Sequence, residues 1–337
     1  MNLRACTAQF LQKIPSRYNL RMIAGGVVSY LPNQKGVGLR GTVLQHNKLP
    51  ASYYYSVYLR HLVKLYESGA NSHPKTVAEI GPGDALGAGL AALLSGADHY
   101  FAFDVIKTAE KAENLKVFAE MVQLFQNRAP IPDPSIYPYV EPFLKSYEFP
   151  KHILTDQRLT SALHESRLEW IRKAIQGELT SGADPITVSY VVPWNDASLL
   201  QPESIDLIFS QAVLEHVDGL EDVYRAMSQW LKRGGAMSHS IDFRSHGVSP
   251  YWNGHWAYSK ILWKIMRGRR PFLLNREPYS RHLNLIKKAG LEMICSEPLE
   301  DSAGLERRYL AREFRIHLTE DDFKTRTVFL QAQKPIA

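Results

Sequence analysis

The chain has 337 residues and a mass of 38.3 kDa, which suffices for one large domain or two modest ones with a sizeable core. Apolar residues make up 45% and charged residues 22%, so the composition excludes a disordered or fibrous chain. Forty Lys and Arg residues against 34 Asp and Glu residues give a net charge of +6, a mild excess that indicates acidic partners without indicating nucleic acid.

Cysteine usage and hydropathy exclude further classes. Cys6 and Cys295 lie at opposite ends of the chain and form no metal-binding or redox spacing, which excludes a disulfide scaffold and is typical of a reducing compartment. The longest weakly charged apolar run, residues 85–97, is far shorter than the roughly 20 residues that a membrane span needs. The apolar run at residues 22–31 has no signal cleavage site after it, so we expect a cytoplasmic protein without a membrane span.

The first 72 residues are predicted to form a helical cap. Residues 1–50 are irregular and contain several glycines, whereas apolar positions in residues 51–66 recur with helical period and predict a helix. A turn-rich boundary follows at residues 68–74. We therefore divide the chain into a cap, residues 1–72, and a main domain, residues 73–337.

Strand-like and helix-like segments alternate through the main domain. Helical patterns lie between most of the strands, the clearest at residues 86–94, 220–231 and 281–289. Such alternation indicates an α/β fold, and we predict a Rossmann-like, doubly wound sheet of seven strands. The predicted strands are residues 76–80, 100–103, 188–192, 205–209, 236–243, 291–297 and 327–333.

Two connections in the main domain are too long to be simple loops. Residues 126–177 carry a cluster of prolines followed by a helical run, and residues 245–279 carry three tryptophans and many basic residues. Because loops of this size in α/β folds usually build the substrate side, we predict two substrate-side insertions in one domain.

The strongest functional signal is a glycine-rich turn between the first strand and the helix that follows it. Gly81 and Gly83 allow the backbone to approach a ligand closely, and the helix start behind them favours negative charge. The second strand ends at Asp104, 21 residues after Gly83, where a carboxylate can accept hydrogen bonds from both hydroxyls of a ribose. The combination predicts an adenosine-containing cofactor; the alternative is a tight structural turn with a capping aspartate.

The glycine spacing and a neighbouring acid indicate which cofactor this is. A dinucleotide-binding turn has the spacing Gly-x-Gly-x-x-Gly, whereas here the third glycine, Gly87, comes one position later. Glu79 stands just before the turn, where it would repel a pyrophosphate but attract the ammonium and sulfonium groups of S-adenosylmethionine. We therefore expect S-adenosylmethionine and not a dinucleotide.

These motifs resemble those of the class I S-adenosylmethionine-dependent methyltransferases, with type 11/12-like features. Residues 78–84, Ala-Glu-Ile-Gly-Pro-Gly-Asp, are similar to the first motif of the family, and residues 101–104, Phe-Ala-Phe-Asp, to the second. Residues 194–197 and 200–217 are similar to the third and fourth motifs, and residues 231–236 to the loop that enters the fifth strand. Five matches in order specify the class and say nothing about the methyl acceptor.

The resemblance also implies a set of cofactor contacts. In the family an Asp-Ala pair holds adenine, which corresponds here to Asp196 and Ala197, and Ser210 and Gln211 match positions that line the methionine end. A helix before the first strand commonly closes over the cofactor, which makes Tyr55 a further candidate. The predicted contacts are Glu79, Gly81, Pro82, Gly83, Asp104, Val105, Asp196, Ala197, Ser210, Gln211 and Tyr55.

A closer subgroup is suggested by residues 55–62, 86–97 and 238–246, which look like bacterial methyltransferases associated with cell-surface polysaccharide clusters. This chain has Ser245 where that subgroup carries an acid. The resemblance implies O-methylation of a sugar, a glycan or a related small metabolite. The alternatives are a methyltransferase for RNA or a lipid-linked acceptor, and a catalytically silent fold that binds the cofactor and serves as a partner protein.

Catalysis of methyl transfer to a hydroxyl needs an in-line nucleophile at close range, assisted by one base. His216, His239 and His246 are the candidate bases, because imidazoles titrate near neutral pH. Strand alternation turns Asp242 away from His239, so we favour His246, beyond the fifth strand, where the chain can turn back toward Asp242. The alternative is a satisfied polar cluster at a strand end.

A metal site is not predicted. Metal-using relatives carry Glu-x-x-Glu-His, which places two carboxylates and an imidazole on one helical face. Here Glu215 and His216 match the last two positions, but Ala212 stands where the first carboxylate would be. We therefore expect Glu215 and His216 to shape the pocket and no metal to bind.

Residues 258–288 carry nine basic residues against one acid, Glu277. Nucleic acid, a membrane surface or a phosphate-bearing sugar could bind such a series of basic residues. The alternative is a solvated surface without a binding role. Because we find no RNA-binding module elsewhere, we rank an anionic glycan or sugar nucleotide above nucleic acid as the partner.

Overall fold

The computed structural model describes residues 16–31, 48–179, 181, 183–194, 196–270 and 273–336. Cys6 and much of the predicted irregular stretch, residues 1–50, lie outside these ranges. The helices within them are α1 (Ser16–Val28), α2 (Ala51–Glu67), α3 (Gly87–Leu94), α4 (Lys111–Gln126), α5 (Asp156–Ala162), α6 (Glu165–Gln176), α7 (Leu220–Trp230), α8 (Lys260–Arg267), α9 (Tyr279–Lys288), α10 (Arg312–His317) and α11 (Glu320–Lys324).

Seven strands form one mixed sheet in the order β3-β2-β1-β4-β5-β7-β6. Strand β7 pairs antiparallel with both β5 and β6, and the remaining pairs are parallel. The predicted fold class is confirmed, and each predicted strand corresponds to one observed strand. The strands are β1 (Thr76–Ile80), β2 (His99–Phe103), β3 (Thr187–Val191), β4 (Ile205–Gln211), β5 (Leu231–Asp242), β6 (Glu292–Glu300) and β7 (Thr325–Gln333).

Helices cover both faces of the sheet, which is why the central strands read as nearly continuous apolar runs. Apolar side chains of α2, α3, α4 and α6 pack with Val77, Tyr100 and Phe209 on one face. Those of α7 and α9 pack with other residues of the same strands on the opposite face. Because β1, β2, β4 and β5 run parallel, their carboxyl ends lie along one edge of the sheet.

The proline-rich part of the first insertion, residues 126–177, packs against α2, whereas its helix α6 packs against α4 and β3. Arg60 of α2 is buried, and its guanidinium donates hydrogen bonds to the carbonyl oxygens of Pro132, Val140 and Pro142. Apolar residues of the insertion, among them Phe149, join the same core cluster as α2. The proline-rich part of the insertion therefore covers this helix.

The second insertion, residues 245–279, packs with α1 around a separate apolar cluster. Trp256, Tyr258 and Trp263 are buried there together with Met22 of α1. The two described helices of the predicted cap thus serve different parts of the molecule, since α1 packs on the insertion and α2 on the sheet. Among the described residues, none of the helices combines the length and apolar character that crossing a membrane requires.

Candidate active site

A cavity of about 1260 Å³ opens at the edge of the sheet where β1, β2 and β4 end. Its size exceeds the usual range of small-molecule pockets. Of the predicted cofactor contacts, nine line this cavity: Glu79, Gly81, Pro82, Gly83, Asp104, Val105, Asp196, Ala197 and Gln211.

The glycine turn after β1 depends on backbone conformations that favour glycine. Gly81 and Gly83 have φ angles of +71° and +73°, in the left-handed region. A Cβ atom on Gly81 would also lie 2.6 Å from a methyl group of Val213. The Thr108 hydroxyl donates a hydrogen bond of 2.7 Å to the Gly83 carbonyl, which joins the turn to the segment after β2. The turn therefore leaves its backbone open to the cavity.

Glu79 is buried at the base of the cavity and accepts a hydrogen bond from the Tyr100 hydroxyl. Burial raises the pKa of the Glu79 carboxyl to about 7, although the hydrogen bond from Tyr100 opposes the increase. The carboxyl is therefore divided between its neutral and ionised forms near neutral pH. A cation placed beside it would favour the ionised form.

Asp104 follows β2 and faces the cavity. One carboxylate oxygen accepts a hydrogen bond of 2.7 Å from the Val105 N–H, so the side chain caps its own turn. Burial raises the pKa of Asp104, while hydrogen bonds from the Val105, Ile106 and Gly83 N–H groups oppose the increase. A carboxylate has about four lone-pair positions, and the cap uses only part of them. The Asp104 carboxylate can therefore accept further hydrogen bonds from a ligand.

Asp196 and Ala197 begin a short 3-10 helix, Ala197–Leu199, after β3. The Asp196 carboxylate accepts hydrogen bonds from the Ser198 N–H at 2.9 Å and the Ser198 hydroxyl at 2.8 Å. The Ala197 carbonyl accepts a hydrogen bond from the Trp230 indole N–H at 2.7 Å. These bonds fix the Asp-Ala pair at the wall of the cavity.

Ser210 and Tyr55 lie away from the cavity. The Ser210 hydroxyl is buried beside Nδ1 of His239 at 2.8 Å, and the Tyr55 hydroxyl donates to the Ala129 carbonyl at 2.6 Å. The neighbouring residues Tyr53 and Tyr54 line the cavity instead, because α2 turns that side toward the glycine loop. Helical periodicity identified the helix, but it did not indicate which tyrosine faces the cavity.

Three of the candidate catalytic residues meet at the carboxyl end of β5. Nε2 of His246 lies 3.3 Å from a carboxylate oxygen of Asp242, and the rings of His216 and His246 meet edge to face with centroids 5.0 Å apart. His216 lines the cavity, whereas Asp242 and His246 are not among the residues that line it. The return of His246 toward Asp242 uses a left-handed residue, since φ is +46° at His246 and +76° at Gly247.

Asp242 is held ionised by its neighbours. Burial alone would raise the pKa of this carboxyl, but the neighbouring His246 imidazole and the hydrogen bonds from Arg244 hold it well below its usual range. The Arg244 guanidinium donates to both carboxylate oxygens, at 2.6 to 2.9 Å. An ionised, oriented carboxylate beside an imidazole is the arrangement that positions a general base.

His239 lies elsewhere. It is fully buried within β5, and burial lowers the pKa of its imidazole to about 3. It is therefore neutral at physiological pH, and like Asp242 and His246 it is not among the residues that line the cavity. The alternation pattern correctly separated His239 from Asp242, but it gave no information on burial.

Glu215 is a buried residue of the short helix Leu214–His216, beside the catalytic candidates. Burial raises its pKa well above the ordinary value, and the negative charge of Asp242 adds to the increase. Ligand-type atoms of Glu215, His216 and His246 lie within 4.8 Å of one another. The sequence pattern around Ala212 could not reveal this grouping, because His246 comes from a distant segment.

Two residues of the second insertion also bear on the site, and of these the sequence analysis included Arg267 in the basic stripe and missed Asn275. Asn275, in the second insertion, donates hydrogen bonds to the carbonyl oxygens of Leu214 and Val217 and so holds the His216 turn in place. Arg267 lines the cavity and donates to both carboxylate oxygens of Asp218. The basic stripe drew attention to Arg267 without placing it at the cavity, and no motif indicated Asn275.

The strand order and the site together define a class of protein. A seven-stranded sheet with β7 antiparallel between β5 and β6, and with a glycine turn after β1, is the Rossmann-like methyltransferase fold. The family described as "Methyltransferase domain" matches residues 167–238, from α6 into β5. This match and the order of the sheet support a methyltransferase domain of the class I, S-adenosylmethionine-dependent kind.

Solved structures of methyltransferases resemble the chain at low sequence identity. An S-adenosylmethionine-dependent methyltransferase from Mesorhizobium loti is 12% identical, with 77% of this chain and 90% of that chain covered and a TM-score of 0.35. One from Methanosarcina mazei is 13% identical, with 81% and 98% covered and a TM-score of 0.37. Phosphoethanolamine N-methyltransferase 2 from Haemonchus contortus, in complex with S-adenosylmethionine, is 13% identical, with 88% and 61% covered and a TM-score of 0.39. No curated protein matches the sequence.

Proposed function

We propose that the protein methylates oxygen on a sugar, a glycan or a related small metabolite. The observation that carries this proposal is the pairing of Asp242 with His246 beside His216, which lines the cavity. A hydroxyl acceptor is too weakly acidic to ionise near neutral pH, so a positioned base assists its attack. The polysaccharide-cluster resemblance supports the same substrate class.

The cofactor-binding residues are assigned as follows. Asp104 would accept hydrogen bonds from the ribose hydroxyls, Glu79 would attract the cationic methionine end, and Asp196 with Ala197 would hold the adenine. The open backbone at Gly81 and Gly83 would allow close contact with the cofactor. Support comes from their common position at the cavity wall.

When bound, S-adenosylmethionine supplies an electrophilic methyl group on sulfur. His246 would take the proton of the acceptor hydroxyl as that oxygen received the methyl group, and S-adenosylhomocysteine would be the product that leaves. Asp242 orients His246 and stabilises the imidazolium that forms, while Arg244 keeps Asp242 ionised. The walls of the cavity hold the reactants in line, which supplies most of the rate enhancement.

A second candidate acceptor is a lipid-linked saccharide, because exposed apolar and basic residues of α8 adjoin Arg267 at the cavity.

The acceptor class is tested by incubating the protein with labelled S-adenosylmethionine and, separately, with glycan, lipid and RNA fractions. Label in the glycan or sugar-nucleotide fraction is expected. Label only in RNA would contradict the proposal, and cofactor binding without transfer would indicate a silent partner protein.

We place the protein in the cytoplasm, where a reducing environment suits its cysteine usage.

Cofactor affinity should depend on pH through Glu79. The pKa of this carboxyl is about 7 without the cofactor, and a bound cation lowers it, so binding near pH 7 releases a proton. Affinity should therefore fall as the pH drops below 7, by up to about tenfold per pH unit. Calorimetry in two buffers of different ionisation enthalpy measures the release. The variant Glu79→Gln should abolish this proton release. The control Glu110→Gln, at an exposed residue of the cavity wall, should keep it. Equal proton release by wild type and Glu79→Gln would contradict the assignment of the released proton to Glu79.

Methyl transfer should not require a metal ion. Ala212 removes one carboxylate from the pattern of metal-using relatives, and the Arg244 guanidinium places a positive charge beside Asp242 and His246. Dialysis against EDTA should leave turnover unchanged, as measured by transfer of labelled methyl groups. Lost turnover that returns with a divalent ion would contradict this prediction and would make Glu215, His216 and His246 the first candidates for its ligands.

A further inference from the structure

The amino-terminal part of the chain is strongly basic. Residues 1–50 contain seven of the 40 Lys and Arg residues and none of the 34 Asp and Glu residues. The rest of the chain therefore has 33 basic against 34 acidic residues and is nearly neutral. Such a charge asymmetry indicates an anionic partner for this end of the molecule.

Helix α1 and helix α8 form one structural unit, here called the helix pair and defined as residues 16–31 and 259–269. Gly26 allows the close approach, because a Cβ atom there would lie 1.9 Å from the Ile265 carbonyl oxygen. The Arg269 N–H donates to the Ser29 hydroxyl at 2.8 Å, and the Arg269 guanidinium lies 5.1 Å from the centroid of the Tyr30 ring. Neither segment contains an acidic residue.

The helix pair exposes large apolar side chains although it is already anchored by others. Met22, Trp263 and Met266 are buried and attach the pair to the domain. Ile261 is nevertheless 78% exposed and Leu20 67% exposed, and Val27, Tyr30, Leu31 and Ile265 are exposed as well. Among these apolar residues stand the exposed basic residues Arg21, Lys260, Lys264 and Arg269.

We propose that the helix pair docks on an anionic lipid surface, with Ile261 and Leu20 entering the boundary between headgroups and acyl chains. Helices that lie in a membrane interface combine basic residues with large apolar ones. Nucleic acid would use the basic side chains but would gain nothing from exposed aliphatic ones. Complementary charge and apolar insertion therefore favour the bilayer as the occupant of this surface.

Docking in this way would bring the cavity close to the membrane. Arg267 of the helix pair lines the cavity and donates to Asp218, so the docking surface and the site share one helix. A lipid-linked acceptor could then reach the site without leaving the bilayer. The docking itself does not depend on methyl transfer and is tested without it.

The test is flotation of the 337-residue protein with two kinds of vesicle. One kind contains phosphatidylcholine alone, and the other contains phosphatidylcholine with about 30% phosphatidylglycerol. We expect flotation with the anionic vesicles, little with the neutral ones, and weaker flotation as the salt concentration rises. Equal flotation with both kinds of vesicle, or flotation with neither, would overturn the proposal.

Three variants separate the apolar from the basic contribution. Ile261→Ser and Leu20→Ser should each weaken vesicle binding about tenfold, as expected for losing one inserted aliphatic side chain. Lys260→Gln with Lys264→Gln should weaken it by about fivefold per charge and flatten the salt dependence. Ile136→Ser, at an exposed aliphatic residue of the first insertion, is the matched control and should bind as wild type does.

Other occupants of the helix pair give different results. The affinity for S-adenosylhomocysteine, measured by calorimetry, should be unaffected by all of these substitutions. Unchanged affinity establishes that the variants are folded. If wild type is a dimer that Ile261→Ser converts to a monomer, the surface joins two copies of the chain and the lipid proposal is wrong. The proposal is also wrong if single-stranded RNA binds and displaces the protein from anionic vesicles.

Discussion

The substitution His246→Ala should lower kcat by about 10²–10⁴-fold while the affinity for S-adenosylmethionine stays unchanged. The imidazole lies 3.3 Å from the Asp242 carboxylate and packs edge to face on His216 at the cavity. Its removal takes away the proposed proton acceptor without touching the glycine turn or Asp104. Turnover is measured by transfer of labelled methyl groups, and cofactor affinity by calorimetry.

Two companion variants give this result its meaning. Asp242→Asn keeps the shape of the carboxylate but cannot stabilise an imidazolium, so it should also lower kcat without weakening cofactor binding. His164→Ala, at an exposed histidine between α5 and α6, should behave as wild type. If His246→Ala keeps normal turnover, or loses cofactor binding and turnover equally, His246 is structural and positioning alone carries the reaction.

The substitution Asp104→Ala should weaken binding of S-adenosylmethionine by about 1.5–3 kcal/mol, the usual contribution of hydrogen bonds to a charged group. The carboxylate faces the cavity at the end of β2, where it would meet the ribose hydroxyls. It also accepts a hydrogen bond from the Val105 N–H, so an alanine removes the cap of the turn as well. Calorimetry measures the loss in affinity.

Asp104→Asn separates the two contributions. The amide oxygen of asparagine can still accept the bond from the Val105 N–H, but it lacks the charge and the second acceptor oxygen for the ribose. The asparagine variant should therefore remain substantially weakened in cofactor binding. Wild-type affinity in this variant would mean that Asp104 only caps the turn.

The sheet was predictable because its central strands are covered on both faces and so appear in the sequence as short apolar runs. Boundaries were less predictable at β5. Its first residues, Lys-Arg-Gly-Gly at 232–235, are typical of a loop, yet the strand begins at Leu231. Pairing of Leu231 with Ile205 of β4 extends the strand past residues of low strand propensity.

The candidate site was predictable where its residues follow the ends of parallel strands. The glycine turn, Asp104 and Gln211 reach the cavity because the fold brings those ends to one edge. The packing of long connections was not predictable, since the contacts of Arg60 with the first insertion join residues more than 70 positions apart. The meeting of His216 with His246 depends likewise on a left-handed turn that no local motif indicates.

The most direct test of the central claim is a calorimetric titration of the protein with S-adenosylmethionine and, separately, with NAD. The glycine spacing of the turn, the buried Glu79 and the cavity that contains both predict binding of S-adenosylmethionine and none of NAD. Tight binding of NAD, with no heat from S-adenosylmethionine, would contradict the assignment of the cavity and the proposed reaction together.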